Sequence, residues 1–148
     1  MGAGTSATHM VFFIVSVVIA LGVAAALFAN IQPLTSAANT GSKTLSEQMR
    51  TDITVINDPE LIPFPDGNYT FYVKNTGKED LPNIDISVII NGVIIPDSIV
   101  TKTILSGNPM WRAGDVLEIK VAMALGPGSH NFRIITYNGV EESFNFRI

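Results

Sequence analysis

From Met10 to Ile31 the chain carries no charged side chain, and the run "MVFFIVSVVIALGVAAALFANI" can serve as a signal to be removed, a membrane anchor or the spine of a filament. Its 22 residues, at about 1.5 Å each, make a helix about 33 Å long. That matches a bilayer core of roughly 30 Å. Thirteen of them are Val, Ile, Leu or Phe. Each of these favours insertion by about 0.3 to 0.6 kcal/mol, so the tract contributes roughly 4 to 8 kcal/mol. A secretory signal has a basic start and an apolar stretch of only about 7 to 15 residues. Here only the α-amino group and His9 precede a longer tract, so the segment reads as retained. Ala20 with Ala24, and Gly22 with Ala26, are small residues four apart, a spacing that lets helix backbones approach closely.

Everything charged lies elsewhere. All 13 carboxylates and all nine Lys and Arg residues stand at or beyond Lys43, so the formal charge of −4 belongs to the second part of the chain. No basic cluster is present that would suit nucleic acid. The absence of cysteine removes disulfides, thiolate metal sites and cysteine nucleophiles together. Lys43 and Arg50 flank the apolar tract on its C-terminal side only, which taken literally places that side in the cytoplasm.

Between the tract and the charged part, "NIQPLTSAANTGS" is small and polar, with Pro33 predicted to interrupt a helix and Gly41 to loosen it again. It reads as a neck. "SKTLSEQMR" then places Leu45 and Met49 four apart, so a short helix is expected to lean an apolar edge on the C-terminal domain. Three segments result: a hydrophobic helix over residues 1–31, a neck or helical extension over 32–50, and a domain over 51–148.

Within that domain the period changes to two. "TDITVIND" sets Ile53 with Val55, "NYTFYVKN" sets Tyr69, Phe71 and Val73 against Thr70, Tyr72 and Lys74, and "IDISVII" sets Ile84, Ile86, Val88 and Ile90 inward. Asn91-Gly92 then supplies a two-residue hairpin turn, with "VIIP" returning. "SIVTKTIL", "DVLEIKVAMA", "HNFRIITYN" and "VEESFNFRI" are further strands, the last two joined through Asn138-Gly139. Seven to eight short strands with regular turn signals predict an antiparallel immunoglobulin-like β-sandwich behind a single hydrophobic helix.

Chemistry is scarce in this sequence. His9 and His130 are the only histidines, so neither a serine triad nor a paired-histidine metal site has its parts. No Gly-rich loop opens a helix as a phosphate cradle does. Glu141 and Glu142 alternate faces along a strand and cannot share one acid/base site. Polar loops such as "GKEDLPNID" lack the twelve-residue calcium pattern. A non-enzymatic protein that needs no cofactor and no metal is expected.

Surfaces are more informative. Trp111 sits at a loop-to-strand junction, where it either plugs one end of the sandwich or anchors a partner, and Met110 precedes it. Phe64 lies between prolines in "PELIPFPDG", where it either caps the core or stays exposed. Phe64, Met110 and Trp111 are therefore the candidate contact residues. Asn68-Tyr69-Thr70 is an acceptor pattern for glycosylation at Asn68.

The order and spacing of "MGAGTSATHMVFFIVSVVIALGVAAALF", "TDITVINDP", "FYVKNTGKEDLP", "VIINGVII", "WRAGDVLEIKV" and "GSHNFRIITYNGV" resemble the FlaG/FlaF family of archaellum accessory proteins. The resemblance spans nearly the whole chain. It implies a pilin-like layout with a single-pass helix in the cytoplasmic membrane and a sandwich outside it, in the archaeal pseudoperiplasm. The implied role is a stator that holds the motility motor against the surface layer, with a FlaF-like protein, S-layer protein and further copies of the chain as partners. That location opposes the one that Lys43 and Arg50 suggest by charge. Archaellins, the subunits of the extracellular filament, are the competing reading, but their Lys/Arg-Gly processing site has no counterpart before Lys43. An extracellular sandwich that binds a cell-wall sugar or other ligand is the third.

Overall fold

The computed structural model describes residues 2–148. Contacts divide the chain between Lys43 and Thr44 into two units. A single helix, α1 (Gly2–Arg50), supplies the first unit and the start of the second. Over residues 10–31 its apolar side chains stand free of the protein's own core, with Phe12, Phe13 and Phe28 each more than two-thirds exposed. A helix apolar on every side and bare of internal packing is suited to lipid or to neighbouring helices, and α1 is long and apolar enough to cross a membrane.

Pro33 does not interrupt α1, contrary to the expected break. It removes one hydrogen bond, the one its N–H would have given to the carbonyl of Ala29. Alanines at 37 and 38 favour the helix on its far side. Polar side chains along α1 fold back on the backbone: the hydroxyls of Thr8, Ser16, Thr35 and Thr40 donate to the carbonyls of Gly4, Phe12, Ile31 and Ser36, and the Asn30 amide to that of Ala26.

The second unit is a sandwich. Among the described residues its strands are β1 (Ile53–Val55), β2 (Tyr69–Asn75), β3 (Ser87–Ile90), β4 (Val93–Ile95), β5 (Val100–Ile104), β6 (Val116–Val121), β7 (Ser129–Ile135) and β8 (Glu141–Arg147). They form two antiparallel four-stranded sheets, in the orders β1-β2-β6-β5 and β4-β3-β7-β8. Period-two alternation sends Phe71, Val73, Leu117 and Ile119 from the first sheet and Val88, Ile90, Phe132, Ile134 and Phe146 from the second into one core. Phe71 stacks on Phe132 at 4.1 Å between ring centres and meets Phe146 edge-on at 5.2 Å.

The β3–β4 hairpin turns at Asn91-Gly92, whose φ angles of 52° and 80° are those this tight turn requires, and Ile90 pairs with Val93 across it. Ile84 is not inward as its spacing suggests. It is 65% exposed, because Asp85 takes a left-handed backbone (φ 56°) and breaks the alternation before β3 begins. Thr70, expected on the outer face, is fully buried. The segment before β2 folds over it, with the Thr70 N–H donating to Pro63 and the Asn57 amide donating to the Thr70 carbonyl.

Trp111 is fully buried and not a contact residue. Its backbone exchanges hydrogen bonds with Leu81, its indole N–H donates to the Asp115 carbonyl at 2.9 Å, and its own carbonyl accepts from the buried Asn75 amide. The loop that carries it is tied by the Asp115 carboxylate, which accepts from the Asn108 amide and the Arg112 N–H. These bonds, that from Asn108 foremost, hold the Asp115 carboxyl below the ordinary carboxylate range. A lowered pKa means the ionised form supports the fold, so this contribution is present above the ordinary carboxylate pKa and is lost as pH falls through the folded value. In Asn108→Ala the Asp115 carboxyl is expected to titrate at higher pH than in the parent, read from its carboxyl carbon by NMR.

Candidate functional site

β2 runs from one end of the sandwich to the other, and the two ends differ in kind. At the end where β2 begins, Phe64 is 51% exposed and its ring lies 4.4 Å from that of Tyr69. Leu61, Ile62, Phe64, Tyr69, Arg147 and Ile148 line an open groove of about 200 Å³ there. The prolines at 63 and 65 keep this segment out of the sheets, which leaves Leu61 and Phe64 facing solvent. Asn68 is half-buried beside the groove, at the start of β2.

The opposite end holds Met110, 37% exposed, above the buried Trp111. Phe64 and Met110 are thus separated by the length of β2 and do not form one patch. In α1, Ala20, Gly22 and Ala26 are exposed and Ala24 is half-buried. Two residues along a helix turn it by about 200°, so the Ala20/Ala24 pair and the Gly22/Ala26 pair face nearly opposite sides.

The Met110 end also receives the last turn of α1, and the seat is polar. Leu45 and Met49, expected to lean on the sandwich, are 57% and 80% exposed. The seat is made instead by Gln48, whose side-chain amide donates to the Asn138 carbonyl at 2.6 Å, and by Thr51, whose hydroxyl donates to the Glu47 carbonyl and accepts from the Asn138 amide at 2.8 Å. On the other side the turn after β2 caps the helix end. The Lys78 N–H donates to the Arg50 carbonyl at 2.8 Å, the Thr76 and Gly77 N–H groups donate to Asp52, and the Thr76 hydroxyl reaches the Asp52 carboxylate at 2.6 Å.

Gly77 is required here by space. A Cβ on it would lie 2.5 Å from both the Arg50 carbonyl oxygen and the Asp52 nitrogen. Arg50 pairs with Glu79 at 3.4 Å. Tyr137 lies in the field of Glu47 and Glu79, and partial burial first, then those carboxylates, push its phenol above the ordinary value, so it stays neutral. Sequence reasoning missed this seat, since Gln48 read as a helix-surface residue, Asn75 as a strand end, and Gly77 and Asn138 as turn residues. The one local signal is the turn "NTG" directly after a strand.

Among the described residues no group of three His, Asp or Glu side chains is placed to hold a metal ion. Two further grooves are shallow. One is lined by Pro59, Ser129 and Asn145, the other by Asp85, Asp97 and Lys102. In the latter the Lys102 ammonium already bridges the Asp97 carboxylate and the Ile86 carbonyl, each at 2.6 Å.

The structure is similar to that of the archaellum periplasmic stator protein FlaG from Sulfolobus acidocaldarius, with a TM-score of 0.50 at 18% identity, over 65% of this chain and 99% of that one. At that identity the likeness speaks for the fold, a sandwich of two antiparallel sheets. The comparison with curated proteins finds no match. The model of the family described as archaeal-type flagellin matches residues 2–146, essentially the whole length, in agreement with the resemblance to archaellum proteins carried by the sequence motifs. This chain belongs to the archaeal-type flagellin family.

Proposed function

We propose that the protein is a static, membrane-anchored part of the archaellum motor. Residues 10–31 of α1 cross the cytoplasmic membrane once, and the sandwich lies outside it, where it is gripped by a FlaF-like archaellum protein and by S-layer protein. The observation that carries this reading is the fold, which covers 99% of a periplasmic stator protein, joined to a helix bare of internal packing. A stator transmits force without turning, which asks for an anchor, a rigid module and complementary surfaces rather than chemistry. The groove of Leu61, Phe64 and Ile148, at the end away from the helix seat, is the contact surface proposed for the outer partners. Self-association uses the small residues Ala20, Gly22, Ala24 and Ala26.

Protease added outside spheroplasts is expected to digest the C-terminal domain; a protected domain would sink the stator reading. The family description favours a second reading, a filament subunit. Electron microscopy of the purified full chain separates the two: membrane-bound particles that capture S-layer protein support the stator, and long uniform fibres with residues 10–31 at their core support the subunit. An exposed sandwich also makes Asn68 accessible for glycosylation. Mass spectrometry of native protein is expected to show a glycan on the peptide holding Asn68, absent in Asn68→Gln.

A further inference from the structure

We propose that the polar seat at the end of α1 is the joint through which mechanical load passes between the helix end and the sandwich, and that it acts by fixing rotation. This rests on the stator reading.

A helix end can be attached to a sandwich by apolar packing or by hydrogen bonds, and the two differ under torque. Apolar burial is non-directional, so a greasy contact lets one body slide on the other at little cost. Hydrogen bonds weaken steeply when bent, so they hold an angle. Here the apolar residues of the last turns, Leu45 and Met49, are turned away, and the bonds are polar.

Their placement matters as much as their kind. The turn holding Thr76, Gly77 and Lys78 follows β2 of the first sheet, whereas the turn holding Asn138 joins β7 to β8 of the second. Arg50 and Asp52 are held by the first turn, and Gln48 and Thr51 by the second. Two off-axis grips, one from each sheet, resist rotation of the helix end, where a single grip would act as a pivot. Gly77 removes the clearance, since its Cα face lies against the backbone of residues 50–52. The buried grips are internally satisfied: Asn138 accepts from the Thr136 hydroxyl while donating to Thr51, and Asn75 holds the Gly77 N–H and the Glu79 carbonyl. A fully satisfied network of this kind specifies one arrangement.

The test uses the full chain in lipid nanodiscs. The chain has no cysteine, so Leu45→Cys with Thr101→Cys, two exposed positions, takes a pair of nitroxide labels without background. In the parent, pulsed electron resonance is expected to give a single narrow distance distribution. In Gln48→Ala with Gly77→Ala it is expected to lose that narrow peak, while the circular dichroism of the sandwich and its thermal transition persist. If the double variant fails to fold, Gln48→Ala alone is read, with recovery of the narrow peak in Gln48→Lys, which restores a donor to the Asn138 carbonyl. A peak that stays narrow in the folded variants overturns the joint, whatever the protein's role.

In cells, the loosened variant is expected to assemble archaella that do not drive swimming. If cells lacking the chain swim normally, the stator reading fails and the load-bearing role with it. If they do not swim but the loosened variant does, the stator reading stands and the joint proposal is overturned.

Discussion

Trp111→Ala is expected to lower the unfolding free energy of the sandwich by about 3 to 5 kcal/mol, the cost of emptying a large aromatic site in a packed core. The indole is fully buried, and its loss also takes from the Asp115 carbonyl one of its two donors, leaving the Asn75 N–H. In a domain of this size each 1 kcal/mol moves the thermal midpoint by about 4 to 8 °C, so the transition falls by more than about 10 °C. Met110→Ala, one residue away and partly exposed, is the control and is expected to cost less than about 1 kcal/mol. Chemical denaturation of both variants decides it. Equal small losses would mean that the tryptophan is not the plug described.

The second large effect concerns attachment to the membrane. The 13 branched and aromatic residues of the tract favour insertion by roughly 4 to 8 kcal/mol. Val18→Arg with Leu21→Arg puts two cations near the middle of the span, each costing about 2.5 to 3.5 kcal/mol, so the balance falls to about zero. The double variant is expected to leave the carbonate-resistant membrane fraction. Thr35→Arg with Ala37→Arg, beyond the tract, is expected to stay in it. Retention of both would show that residues 10–31 are not what holds the chain in lipid.

Much of the sandwich was legible because alternation is a local property. Phe71 and Val73, or Phe132 and Ile134, announce a buried face within a few residues, and Asn91-Gly92 announces its turn within two. What escaped depended on distant partners or on a single backbone angle. Ile84 fits the alternating pattern until Asp85 turns the chain. Pro33 looks like a stop, yet the helix loses only one bond to it. Trp111 in a loop is ambiguous until Leu81 and Asn75 are seen to close around it. The seat of the helix end was the least legible. Gln48 meets the Asn138 carbonyl 90 positions further along, and no periodicity encodes a pairing of two polar residues at that range.

The polar side chains that fold back along α1 limit how the helix would be told apart in the bilayer that the proposed anchor implies. Ser16 gives its one proton to Phe12, so an adjoining helix can donate to that hydroxyl but cannot accept from it. With donation from these hydroxyls already spent, contour gains weight: the shallow notches left where side chains shrink to a methyl or a hydrogen. Recognition by contour is graded rather than all-or-none, so a single added methyl group would retune the choice of neighbour without evicting the helix from the lipid.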